Sequence, residues 1–106
     1  MERSVRKNDR RWEPASYNPN LKRCVLSEHE LGGTSGLLKL PKGEKFPAHN
    51  HPGGEEVVVL KGELRLGQEI YQVGDYIYAP INSVHDGEAI EDTIIFFSVR
   101  KPTVWI

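Results

Sequence analysis

GEKFPAHNHPGGEEVVVLKG, residues 43–62, decides the reading of this chain. Gly43 is followed after five residues by His49, after one more by His51, after three more by Glu55 and after six more by Gly62. A second stretch, GDYIYAPINSVHDGEA, residues 74–89, sets Gly74, Pro80 and His85 in that order. Residues two apart on a strand share a face, so His49 and His51 point the same way. Pro52-Gly53-Gly54 then lets the chain turn, since glycine accepts positive φ. Glu55 opens the next run with the parity of Val57 and Val59, so it projects inward if those valines do. A buried carboxylate without a partner is costly, and a cation held with His49 and His51 satisfies it. Glu56 is the rival ligand one residue later, and parity favours Glu55. Pro80 and Asn82 form the turn that brings His85 to the same place from another strand. The five fixed positions of the first stretch arise by chance on the order of 10⁻⁷ per starting position, given ordinary residue usage. Imidazole and carboxylate are common ligands of zinc and the borderline first-row metals. His49, His51, Glu55 and His85 therefore read as one divalent metal site, for zinc, iron, manganese or nickel.

Outward from this stretch the chain is built of short apolar runs separated by glycine and proline. Residues 22–27 and 35–40 are bounded by Gly32-Gly33 and Pro41-Lys42-Gly43. Residues 55–61 are rich in valine, 63–66 alternate, 70–73 end at Gly74-Asp75, 76–79 stop at Pro80, and 93–99 (TIIFFSV) form the last long run. Short strands at such intervals with turn signals between them predict an all-β sandwich or barrel. No stretch holds a 3.6-residue period, so little helix is expected. Residues 1–20 differ: they carry Arg3, Arg6, Arg10 and Arg11, with Pro14 and Pro19 as breakers. They read as an N-terminal arm that docks through Trp12, ahead of a single domain over residues 21–106. His29, between two glutamates and without a partner at ligand spacing, reads as solvated.

A chain of 106 residues suits one domain. The 14 basic and 15 acidic residues leave a net charge of -1, which argues against nucleic acid or a membrane surface as the main partner. No apolar run approaches the roughly 18 residues of a membrane span, and MERSVRKNDRRW lacks the apolar stretch of a signal peptide. Cys24 is the single cysteine; with no internal disulfide to form, a reducing, cytoplasmic setting is the expectation. The thiol reads as a small buried hydrophobe.

Both stretches resemble the two motifs of the cupin superfamily. Residues 43–62 fit the first at every fixed position. Residues 74–89 fit the first glycine, the proline and the histidine of the second. They depart at Asn82, where glycine is usual, and at Ala89, where asparagine is usual. Asparagine tolerates left-handed turns, and position 89 is not a ligand position. The resemblance implies a double-stranded β-helix, a small jelly-roll barrel. HNHPGGEEVVVLKGEL, with LLKLPKG before it and the segment from Trp12 to Leu26, is similar to the cupin-like domain of ChrR-type anti-sigma factors over most of residues 12–100. That likeness implies one zinc held by three histidines and a glutamate, at His49, His51, Glu55 and His85. It does not extend to the separate helical domain with which those proteins grip a sigma factor.

Fold does not fix function here. The leading expectation is a stand-alone metal-binding cupin acting as a sensor or small-molecule binder. The alternatives are a small metal-dependent dioxygenase acting on a diketone- or catechol-like substrate, and an isomerase using the metal as a Lewis acid. Tyr76, Tyr78 and Phe96 are candidates for a pocket wall or for plain core. Residues 57–60 (VVVL) are apolar on both faces, so one face needs cover beyond the barrel interior; a homodimer is expected.

Overall fold

Alternation of side chains builds this molecule. In β5 (Glu55–Lys61), Val57 and Val59 are buried while Glu56 and Leu60 face solvent. In β10 (Thr93–Val99), Thr93, Ile95 and Val99 are buried in the same rhythm. The structure is a computed structural model and describes residues 1–106. Its other strands are β1 (Glu13–Ala15), β2 (Asn18–Glu28), β3 (Thr34–Leu40), β4 (Lys45–His51), β6 (Glu63–Leu66), β7 (Glu69–Gln72), β8 (Tyr76–Ala79), β9 (Ser83–Ala89) and β11 (Val104–Trp105). The one helical segment is a 3-10 turn at Lys7–Asp9. Strands pair antiparallel in two sheets, β1-β2-β3-β10-β5-β8 and β11-β4-β9-β6-β7. The jelly-roll architecture implied by the two motifs is the one observed.

One core lies between the sheets. Leu21, Leu38, Leu40, Val57, Val59 and Ile95 enter it from the first sheet; Phe46, Leu64, Leu66 and Ala89 enter from the second. Burying each larger side chain contributes about 1.5–3 kcal/mol, which offsets the ordering of so many short strands. Strand structure begins at Glu13, inside the segment read as an arm, because Glu13 and Pro14 pair with Arg23 and Lys22 of β2. Pro14 is tolerated there since β1 is a sheet edge. Trp12 packs under Lys39, whose Nζ stands 4.1 Å from the ring centre.

Besides the short β1 and β11, two longer strands lie outside the apolar runs: β4 and β9. Both carry histidines and polar residues on the face that apolar side chains occupy elsewhere, which hides their alternation. The turn between β4 and β5 depends on Gly54, at φ 79°, whose N–H donates to the carbonyl of His51 at 3.0 Å. The turn before β9 places Asn82 at φ 64°, the one non-glycine residue in the left-handed region. Its N–H also donates to the His51 carbonyl, at 2.8 Å. Both turns are thereby anchored on one ligand-bearing residue.

Candidate metal centre

β4 carries both an aromatic floor and two histidines on the inner face, although Phe46 and His49 differ in parity. A register shift between Phe46 and His49 resolves this: Phe46 pairs with Gly87 and His49 with His85. The irregular stretch is Pro47-Ala48, and proline favours such bulges because it cannot serve the ladder. The same stretch orients a ligand. The Pro47 carbonyl accepts a hydrogen bond from His49 Nδ1 at 2.7 Å, which leaves Nε2 as the lone-pair nitrogen.

The four sequence-selected residues meet at one point. His51 Nε2 stands 3.0 Å from Glu55 Oε1, His85 Nε2 stands 3.3 Å from the same oxygen, and the two nitrogens are 3.1 Å apart. One ligand atom from each of His49, His51, Glu55 and His85 lies within 4.8 Å of the others. Around an ion with bonds near 2.1 Å, neighbouring donors stand about 3.0–3.4 Å apart in octahedral or tetrahedral geometry. The cluster fits a divalent ion on that ground. Glu55 faces in and Glu56 faces out. Thr103 Oγ1 lies 3.4 Å from His51 Nδ1, at the ring nitrogen turned away from the cluster.

Burial sets the charge state. His49 is 4% exposed, and that burial, helped by His51 and His85, pushes its pKa down to about 4. Burial alone would raise the Glu55 carboxyl; hydrogen bonds to His51 and His85 outweigh it and hold the group below its ordinary range. A neutral His49 and an ionised Glu55 are the forms that bind a metal.

A cavity of about 340 Å³ opens onto this cluster. His49, His51 and Glu55 form part of its wall; Tyr17, Arg23, Phe46, Phe97 and Trp105 form other parts. Trp105 pairs with His49 across β11 and β4. Its ring centre lies 4.8 Å from that of His49 and 4.1 Å from that of Tyr17.

Several expectations about surrounding residues are corrected. Tyr76 and Tyr78 are neither pocket wall nor core: they pair with Val58 and Glu56 on the outer face and are 57% and 56% exposed. Phe96 is on that outer face too, paired with Val58, and Phe97 lines the cavity instead. The parity of Phe97 with Ile95 and Val99 carried that signal; Trp105 had none, since only the tertiary return of β11 places it. His29 is half-buried rather than solvated, with Nε2 2.8 Å from Ser35 Oγ and 3.4 Å from Ser98 Oγ.

A family model described as the ChrR cupin-like domain matches residues 1–104. The chain belongs to this family. Among solved structures, anti-sigma ChrR of Rhodobacter sphaeroides, in complex with SigE, is 26% identical with a TM-score of 0.76, covering 89% of this chain and 51% of that one. An acetylacetone dioxygenase from Acinetobacter johnsonii is 15% identical with a TM-score of 0.84, covering 100% of this chain and 77% of its own, a likeness of fold. The DNA damage-repair/toleration protein DRT102 of Arabidopsis thaliana is 34% identical over 96 residues. This chain, 85% of which aligns, spans 30% of that protein's length. No helix of this cupin domain is long and apolar enough to cross a membrane.

The shifted groups predict acid lability. His49, at about 4 when folded, stays neutral where the unfolded imidazole, at 6.5, already takes up a proton. Between those values the unfolded state binds the extra proton, so stability falls as pH drops. Glu55 acts in the same sense, stabilising above its ordinary 4.5 and losing that contribution as pH falls lower. Melting of metal-free protein in chelator should therefore decline by several degrees from about pH 7 to about pH 4. A flat profile would falsify the buried neutral-histidine arrangement.

Proposed function

We propose that this cupin domain binds one divalent metal ion through His49, His51, Glu55 and His85 and presents it to a small molecule entering the adjoining cavity, as a sensor or ligand-binding module. The observation that carries the reading is the convergence of three imidazoles and one carboxylate on the wall of a cavity large enough for a small ligand. Zinc suits this donor set, and its ability to expand from four to five ligands leaves room for a ligand oxygen. The bound ion would supply a fixed positive charge and a Lewis-acid centre. The protein's own part is to hold the imidazole tautomers, to keep Glu55 ionised and to limit water with Phe46, Phe97 and Trp105.

Plasma mass spectrometry of protein purified without added metal should find about one zinc per chain, the stoichiometry of a single four-ligand site. His49→Ala should lose most of that metal and about 3 kcal/mol of stability, because Glu55 loses part of its counter-charge. A folded, metal-free wild type that takes up no zinc would overturn the assignment, as would a variant with unchanged metal and melting.

A second reading is oxygen-dependent cleavage of a β-diketone. The cavity favours it, since a substrate could reach the metal side, and an octahedral iron would keep two positions beyond four protein ligands. The fold shared with an acetylacetone dioxygenase supports it as well. Iron-loaded protein should then consume oxygen when acetylacetone is added. Stoichiometric iron with no oxygen uptake above buffer removes this reading.

We also propose a homodimer formed through the outer face of the first sheet. Leu60, Tyr76 and Tyr78 are 46%, 57% and 56% exposed there, with Val58, Ile94 and Phe96 half-buried among them. A contiguous apolar face of this kind marks an interaction surface. Light scattering should give twice the 12.0 kDa chain mass, and Tyr78→Lys should return it to one. A monomeric wild type at micromolar concentration counts against the dimer.

A further inference from the structure

Arg23 is the one guanidinium or ammonium group on the wall of this cavity, and it forms no ion pair. It faces inward from β2 between Leu21 and Val25 and lines the cavity wall. Its one hydrogen bond is from Nη2 to Thr34 Oγ1, at 3.0 Å. A guanidinium has five N–H donors, so most remain free. Two carboxylates share the cavity wall with it, Glu13 and Glu55. Glu13 pairs with Arg23 along the backbone and shares the cavity wall, yet no ion pair joins them: the ion pairs of this structure involve Lys42, His51, Arg65 and His85. Glu55 is taken by His51 and His85.

The Thr34 bond also fixes where the guanidinium points. Thr34 precedes Ser35, which pairs with Ser98, and the next residue, Val99, pairs with Glu55. Arg23 is therefore drawn toward the barrel end that holds the metal ligands, with the cavity between. Tyr17 adds a second donor there. Its hydroxyl makes no hydrogen bond within the protein, and burial holds it protonated, with the pKa up at about 12 despite the pull of Arg23.

We propose that Arg23 is the anion anchor of this cavity, and that the molecule taken up beside the metal ligands carries a carboxylate that the guanidinium holds. The proposal deepens the small-molecule reading above and rests on it. A planar fork of N–H donors matches a carboxylate with two parallel bonds, stronger and more directional than neutral ones. The ligand is then oxygen-bearing at the metal end, apolar against Phe97 and Val57 in its middle, and anionic at the Arg23 end.

Two probes that share a head and differ in tail charge test this: heptane-2,4-dione and 4,6-dioxoheptanoate, titrated calorimetrically into metal-loaded protein. The carboxylate probe should bind about tenfold tighter or more, the gain expected of one charged hydrogen-bonded pair. Arg23→Gln should remove that difference at wild-type metal content, and Arg23→Lys should restore part of it. Equal affinities in wild type, no binding of either probe, or a preference that survives Arg23→Gln would overturn the anchor. Failure of the protein to load metal would instead overturn the metal reading. The anchor is then read alone, in metal-free protein, from the Arg23 Nε–H resonance by NMR. A saturable shift with 4,6-dioxoheptanoate supports it, and an unmoved resonance overturns it.

Discussion

A carboxylate enclosed by three imidazoles is the constraint around which this molecule is arranged. Glu55 begins β5 on the inner face, where its neighbours in sequence are the fully buried Val57 and Val59. A lone charge there would cost several kcal/mol. The structure meets that cost with His51 and His85, each within hydrogen-bonding distance of the same oxygen. Those two histidines come from different strands of the opposite sheet, so the cluster ties the two sheets together at one end. The apolar core does the same at the other end through Leu40, Val59 and Leu64.

The two ends therefore differ in kind. At the closed end, stability comes from buried area and does not depend on pH or on any ligand. At the open end it depends on protonation, on a cation and on what fills the cavity. Aromatic rings separate the two regimes. Phe46 lies 5.2 Å from His49 and 6.3 Å from His85, ring centre to ring centre, and belongs to the apolar core as well. Trp105 and Tyr17 stack at the mouth. Local opening is easiest where few apolar contacts hold the chain, which is the end where a ligand must enter.

Much of this was legible from residues 43–62 and 74–89. The His-x-His spacing, the parity of Glu55 with Val57 and Val59, and a turn ahead of His85 were enough to bring four side chains to one place, and the motifs carried the jelly roll. The apolar runs marked β5, β6, β8 and β10 at their observed bounds. What escaped had physical reasons. β4 and β9 spend their inward positions on ligands and glycine, so hydrophobic alternation does not mark them. Tyr76, Tyr78 and Phe96 look like pocket residues by composition, but one step of parity turns them outward. Arg23 is an unremarkable basic residue in sequence. Only the closure of β2 over the barrel, which puts its guanidinium on the cavity wall outside any ion pair, singles it out.

The bulge at Pro47-Ala48 has a bearing on how such a domain can change over time. Period-two strands ordinarily tolerate shifts of two residues, since the inner set is preserved, and turns tolerate almost any length. In β4 the aromatic floor and the ligand pair are both inward across an irregular step. The chain advances three residues in β4 where β9 advances two. Deleting one would remove the bulge and leave Phe46 and the histidines inward, but it would disturb the Pro47 carbonyl that holds His49 Nδ1. Length variation is least constrained in the β6–β7 hairpin, which carries none of the four ligands. Between Phe46 and His49 the extra residue serves the orientation of the His49 ring, through the Pro47 carbonyl, rather than the inward facing of either side chain.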